Sequence, residues 1–278
     1  MTKRAASRTA LLVAGLRAMA TARAQPICRD PFARALAGDE GMAIARAFEA
    51  DAFPHAELWL ALRTAFLDRE LMAQVSHRGL SQVVLLGAGF DTRAARLTFP
   101  GVRWFEVDHT ESQAEKRRRI AGIAGYPEGA ATYASCDFTC EDFLDRLVAV
   151  GFDVGRPAAF VWEGVTMYLD EAAIRATLSR VARGAHPRSV LMFDYVGKRL
   201  AARSTGRAAD EALLESVAAM GEPFRFGIDD VVPLLAHEGF RYARTTSFDE
   251  LALELTGSYD RARAFRFQRL CVASATPP

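Results

Sequence analysis

Lysine is nearly missing from this 278-residue chain: Lys3, Lys116 and Lys198 are the only three, and arginine supplies the other 32 basic side chains. The 35 basic residues meet 34 acidic ones, a formal charge of +1, so no overall field would gather nucleic acid or an anionic membrane surface. Cysteine is equally sparse. Cys28, Cys136, Cys140 and Cys271 form no Cys-x-x-Cys pair and have no histidine cluster at zinc spacing, which argues against a metal centre and suits reduced thiols in a cytoplasmic setting. No apolar run approaches the roughly 20 residues needed to span a bilayer. Internal repeats, low-complexity tracts and an obvious interdomain linker are also lacking. What remains is a globular balance, 50% hydrophobic and 25% charged, with enough length for one large domain or two small ones.

At the N-terminus Lys3, Arg4 and Arg8 precede the apolar stretch Ala10–Leu16, in the manner of a secretory signal. Arg17 and Arg23 interrupt it, however, and Leu11, Leu12, Leu16 and Met19 recur at helical spacing, so an amphipathic helix is expected. Asp30 before Pro31 reads as a helix cap, and a longer helix is expected from near Glu57 to His77, stopped by Gly79.

The pattern then changes. Gln82–Leu86 is a short continuous apolar run ending in glycine, as in a strand buried on both faces of a parallel sheet. Similar runs at Val102–Val107, Ala131–Ser135, Ala158–Trp162 and Val190–Phe193 alternate with helical stretches near Glu111–Ala124, Glu141–Val150 and Glu171–Gly184. This predicts a doubly wound α/β sheet. Gly239–Thr245 and Ala264–Ala273 suit an antiparallel addition at its edge. The chain thus divides into a helical cap (1–80), a ligand-binding core (81–197), an Ala/Arg-rich helical insertion (198–226) and a C-terminal part of the sheet (227–278), within one domain.

Ligands of open α/β sheets bind beyond the carboxyl ends of the strands. There the chain carries Gly87-Ala88-Gly89-Phe90-Asp91-Thr92, with Glu106 and Asp108 closing the second strand, Asp137 after the third and Glu163 after the fourth. Carboxylates around one crevice, with no lysine expected nearby, would repel a pyrophosphate. They suit a cofactor with hydroxyls and positive charge, such as S-adenosylmethionine, whose own carboxylate would need a cation such as Arg63.

Val83–Arg96, Phe105-Glu-Val-Asp108 with Lys116–Arg119 downstream, and Val161–Leu169 resemble motifs of the leucine carboxyl methyltransferase family, in particular its bacterial branch of S-adenosylmethionine-dependent methyltransferases. The resemblance reaches Thr9–Ala14, the Asp30-Pro31 turn and Ala61–Thr64, so it spans most of the chain and weighs against a cleaved signal. It implies a Rossmann-like class I methyltransferase fold with a helical N-terminal extension and an antiparallel edge strand. It also implies that Arg63 holds the cofactor carboxylate, Gly87 (within Gly87-Ala88-Gly89) and Glu163 its amino group, Asp108 the ribose, and Asp137 with Phe138 the adenine. His109 and Phe138 depart from the family's common residues.

Methyl transfer mainly requires alignment and exclusion of water. A carboxylate acceptor needs no base, whereas a phenol would benefit from one. His109 is a weak candidate base, its plain reading being a surface histidine at the start of a helix that Thr110 caps. Tyr168 is a weak candidate for lining the acceptor pocket, and Arg93 reads as a solvated helix residue. The expected activity is O-methylation at a carboxylate or hydroxyl of a small metabolite, for which the resemblance suggests a polyketide type, with no nucleic-acid or membrane partner. A non-catalytic cofactor-binding module and an NAD-linked oxidoreductase are the alternatives, the second wanting a third glycine and a Tyr/Lys pair.

Overall fold

In the computed structural model, which describes residues 8–277, the runs read as strands form one seven-stranded sheet. Its strands are β1 (Gln82–Leu86), β2 (Arg103–Asp108), β3 (Thr132–Ser135), β4 (Ala158–Trp162), β5 (Val190–Val196), β6 (Tyr242–Ser247) and β7 (Gln268–Ser274), in the order β3-β2-β1-β4-β5-β7-β6. Five strands are parallel, with Val84 opposite both Phe105 and Phe160, while β7 pairs antiparallel with β5 and β6. The order reverses between β1 and β4, which opens a crevice beyond their carboxyl ends.

Apolar runs without alternation arise because both faces are covered. Val83, Leu85, Val161 and Met192 point into one core, and Val84, Leu86, Phe160 and Phe193 into the other. The expectation fails at β3, an edge strand whose Thr132 and Ser135 are exposed. Strand β5 runs past Phe193 to Val196, so the buried Asp194 lies inside it.

Three long helices precede the sheet: α1 (Arg8–Thr21), α2 (Ala33–Asp51, broken at Gly38) and α3 (Ala56–Arg78, ended by Gly79 in the left-handed region). Asp30 Oδ1 accepts from the Phe32 and Ala33 N–H groups, so it caps the chain's entry into α2. Helix α1 is not amphipathic. Leu11, Leu12, Leu16, Arg17 and Ala18 are all buried, so apolar and small residues face neighbours nearly all round. It crosses α2 with backbones in contact: a Cβ on Gly15 would lie 2.4 Å from the Gly41 carbonyl oxygen. The residues before Arg8, including Lys3 and Arg4, lie outside the described part.

Helices α4 (Arg93–Arg96), α5 (Thr110–Ile120), α6 (Phe143–Ala149) and α7 (Glu171–Ser179) connect the parallel strands. Helices α8 (Lys198–Ala201), α9 (Ala208–Ala219) and α10 (Val232–Glu238) follow β5, and α11 (Phe248–Thr256) links the last two strands. Asp142 caps α6 by accepting from Leu144 N–H and Asp145 N–H. Among the described residues no helix is long and apolar enough to cross a membrane.

Candidate active site

A cavity of about 720 Å³ occupies the crevice at the reversal of strand order. The turn after β1 forms its floor. Gly87 and Ala88 N–H both donate to the Val107 carbonyl, at 2.8 and 3.1 Å, which folds the chain back beside β2. Gly87 adopts φ +65°, and a Cβ there would come within 2.5 Å of Val165 Cγ2, so only glycine fits.

The structure brings every sequence-predicted cofactor residue to this cavity: Arg63, Gly87, Ala88, Gly89, Asp108, Asp137, Phe138 and Glu163 all line it, as do His109 and Tyr168. Asp108 is fixed at the end of β2. Its Oδ2 accepts from Gly89 N–H at 2.6 Å and its Oδ1 from His109 N–H at 2.7 Å, leaving further lone pairs on both oxygens for hydroxyl donors. Burial raises its carboxyl above the ordinary value, and those two N–H groups oppose the rise. Asp137 accepts from Thr139 N–H and Oγ1 at 2.9 and 2.6 Å, and these bonds, the hydroxyl's above all, lower its pKa. Half-buried Phe138 rests against Phe143.

Glu163 and Arg63 meet in a buried charge network. Arg63 Nε donates to Glu163 Oε1 at 2.8 Å and its Nη1 to Asp194 Oδ2 at 3.3 Å, while the guanidinium lies over the Trp59 ring. Arg93 Nη1 reaches Glu163 Oε2 at 2.5 Å and also Asp91, and its Nε reaches Asp68 at 2.7 Å. Asp68 holds Arg96 as well, and Arg17 pairs with Asp30 at 3.0 Å and donates to the Phe90 carbonyl. Burial alone would raise Glu163, but Arg93 and Arg63 outweigh it and hold the carboxylate well below its usual range.

Three expectations are corrected here. Arg93 is no solvated helix residue; its side chain is fully buried and ties Asp68, Asp91 and Glu163 together. Glu106 does not reach the crevice. It is buried against Lys116 Nζ at 2.6 Å, the lysine that was not expected nearby, and Lys116 also donates to the Asp91 carbonyl. Thr110 does not cap α5; its hydroxyl bonds Ser135 and His109 occupies the cap position.

The charge of the site changes accordingly. Arg17, Arg63, Arg93 and Arg96 oppose Asp30, Asp68, Asp91, Glu163 and Asp194, so this network retains one negative charge. Asp108 and Asp137 add to it outside any arginine pair among the described residues. A cationic ligand therefore still meets an attractive field, from fewer uncompensated carboxylates than the sequence suggests.

Sequence reasoning missed Asp194, Gln268 and Arg17. Asp194 accepts from Gly164 N–H at 2.6 Å, from Arg63 and from Gln268, and thereby anchors the loop that carries Glu163. Its signal was available, since it follows the Val190–Phe193 run as the other acids follow theirs. Arg17 was visible as a charge inside an apolar stretch.

The donor set fits S-adenosylmethionine on chemical grounds. Asp108 would take the ribose diol, Asp137 and Phe138 the adenine amino group and ring face, Glu163 the ammonium, and Arg63 the carboxylate. Relatives point the same way. Residues 10–182 match the family model described as leucine carboxyl methyltransferase. A protein of Frankia alni is 38% identical over 181 residues, which is 62% of this chain and 63% of that one. Another, of Mycolicibacterium smegmatis, is 32% identical over 216 residues, covering 73% and 71%. Both carry the name "Putative S-adenosyl-L-methionine-dependent methyltransferase". The match to a Parafrankia relative spans about half of its length, 48%. For the fold, the crystal structure of a "putative methyltransferase" from Thermobifida fusca YX superposes with a TM-score of 0.66 at 16% identity, covering 96% of this chain and 94% of that one. On the extent of these matches, the chain belongs to the leucine carboxyl methyltransferase family, and the two bacterial relatives above are named as S-adenosylmethionine-dependent methyltransferases.

Proposed function

We propose that the chain is an S-adenosylmethionine-dependent O-methyltransferase acting on a small-molecule acceptor, with a carboxylate oxygen preferred over a hydroxyl. When bound, the cofactor supplies an electrophilic methyl on a sulfonium. The chain's own residues do the rest: Asp108, Asp137 and Phe138 would hold the cofactor's adenosine end and Arg63 and Glu163 its amino-acid end. In-line transfer then depends on orientation and on keeping water out.

The observation that supports the choice of acceptor is that, among the described residues, neither His109 nor Tyr168, nor the carboxylates Asp91 and Glu163, is free to act as a base. His109 Nε2 lies 3.8 Å from Asp137 Oδ1, at the end of the cleft assigned to adenine. Burial, helped by the nearby Glu222 carboxylate, raises the Tyr168 phenol above its ordinary value, so it stays protonated. Asp91 and Glu163 are tied to arginines. An acceptor that is already ionised at neutral pH, as a carboxylic acid with pKa near 4 is, meets this site's needs; a phenol near 10 does not.

Two measurements test the reading. Calorimetry should show binding of S-adenosylmethionine and S-adenosylhomocysteine, and a panel of acids and phenols with labelled cofactor should give methyl esters ahead of ethers. Absence of cofactor binding sinks the assignment; cofactor binding without transfer to any acceptor would instead favour a non-catalytic module.

A further inference from the structure

A second cavity, about 40 Å³, adjoins the cleft. The two share Thr9, Val13, Arg63, Gly164 and Tyr168, which therefore frame the boundary between them. Beyond that frame the walls are aromatic, with Phe48, Phe53, Trp59 and Phe224 facing the space and Leu213 and Val217 of α9 closing it. Polar groups at its floor are already engaged: Trp59 Nε1 donates to Gln268 Oε1, and Gln268 Nε2 donates to Asp194. One polar atom on the frame is not. Thr9 Oγ1 is buried in a residue only 9% exposed and has no hydrogen-bond partner among the described residues.

The structure assigns this cavity to the acceptor, and we infer that the acceptor is a compact monocyclic aromatic acid. The inference rests on the methyl-transfer reading above and adds the class of substrate. Room for on the order of three heavy atoms admits the leading edge of a six-membered ring and leaves none for a second fused ring. Aromatic walls favour a ring presented edge to face, as Tyr168 and Phe224 already meet each other at 5.5 Å and 72°. With the leading edge of the ring seated there, the carboxylate stays towards the frame, where the buried Thr9 hydroxyl can donate to it.

The test titrates the full chain by calorimetry with acetate, benzoate and 2-naphthoate, both alone and saturated with S-adenosylhomocysteine. Benzoate should bind at least about tenfold more tightly than acetate, at about fourfold per methylene-sized group buried, and 2-naphthoate no better than benzoate. Leu213→Trp, which fills the cavity, should reduce benzoate to the level of acetate while leaving the S-adenosylhomocysteine affinity unchanged. Leu213→Ala, which enlarges it, should raise the affinity for 2-naphthoate several-fold, a gain that a misfolded variant cannot mimic. Equal binding of acetate and benzoate, or Leu213 variants that leave the order of the three acids as it is in the unaltered chain, overturns the inference. Failure to bind S-adenosylhomocysteine would count against the cofactor reading instead, and the titrations of the chain alone would still decide the cavity.

Discussion

Replacing Arg93 by methionine should destabilise this protein about as much as truncating a large buried apolar side chain, but with a dependence on pH that no apolar truncation shares. The arginine is fully buried and neutralises Asp68, Asp91 and Glu163 at once. Methionine keeps much of the volume and removes the charge. Asp68 retains Arg96 and Glu163 retains Arg63, so the burden falls on Asp91, left with the N–H of residue 93 as its hydrogen-bond partner. Breaking a buried pair by removing one partner costs about 3–5 kcal/mol, and the retained arginines place this case near the lower end. In a chain of this size that lowers the melting temperature by roughly 6–10 °C. The pH dependence supplies a sharper check. Burial alone would raise the Asp91 carboxyl, but Arg93 chiefly, with Arg17, outweighs it and holds the group below its ordinary value. In the unaltered protein its stabilisation is therefore complete above the unfolded pKa near 4 and is lost as pH falls through the lower folded value. In the variant the largest charge opposing burial is gone, so the folded pKa rises from its depressed position, although Arg17, Arg96 and Lys116 still lower it; the penalty is full at neutral pH and shrinks as Asp91 takes up a proton. Urea unfolding at pH 7.5 and pH 5 should show the difference between the two proteins narrowing on acidification. A loss under about 1 kcal/mol at pH 7.5, or one independent of pH, would refute the argument.

Gly87→Ala places a Cβ 2.5 Å from Val165 Cγ2 at φ +65°, so a loss of about 1–3 kcal/mol in unfolding free energy is expected, with weaker S-adenosylhomocysteine binding in the same preparation. Asp108→Asn removes the charge expected to accept the ribose hydroxyls; calorimetry should show roughly 10- to 100-fold weaker cofactor binding, and an unchanged affinity would remove Asp108 from the site. His109→Ala should change kcat less than about threefold and leave the pH profile of kcat unaltered, because the imidazole sits by Asp137 and takes no proton from the acceptor. A lost ionisation near neutrality in that profile would establish it as the base.

How far the local pattern of the chain carries is clearest in particular residues. The parallel strands were legible because a strand covered on both faces needs no polar alternation, and the helical excursions between them have their own period. Val83 and Val84 enter opposite cores, yet both read as apolar. Edge strand β3 misleads, since its short sequence resembles a central strand while only Ala134 is buried. The strand-end positions of Asp108, Asp137 and Glu163 followed from topology, and the family motifs supplied their individual roles. What stayed hidden was pairing across long separations. Arg93 lies 25 residues from Asp68 and 70 from Glu163, so nothing adjacent to it in sequence marks it as buried. Asp194 was legible as an acid after the Val190–Phe193 run, but the partners that make it tolerable inside a central strand, Gly164, Arg63 and Gln268, are not its neighbours along the chain.

The contact of Gly15 with Gly41 has a reach beyond the packing of two helices. Helix α1 supplies Thr9, Ala10, Val13 and Arg17 to the wall of the cleft, so a ligand that spans the cleft would touch the strand ends and the first helix together. Seating of the first helix and occupancy of the cleft are therefore one linked equilibrium. By reciprocity, the factor by which a seated α1 tightens ligand binding is the factor by which a bound ligand secures α1 against detachment. A larger side chain at Gly15, far from any reacting atom, would thus be read at the bench as a loss of ligand affinity, and saturating ligand would recover the helix.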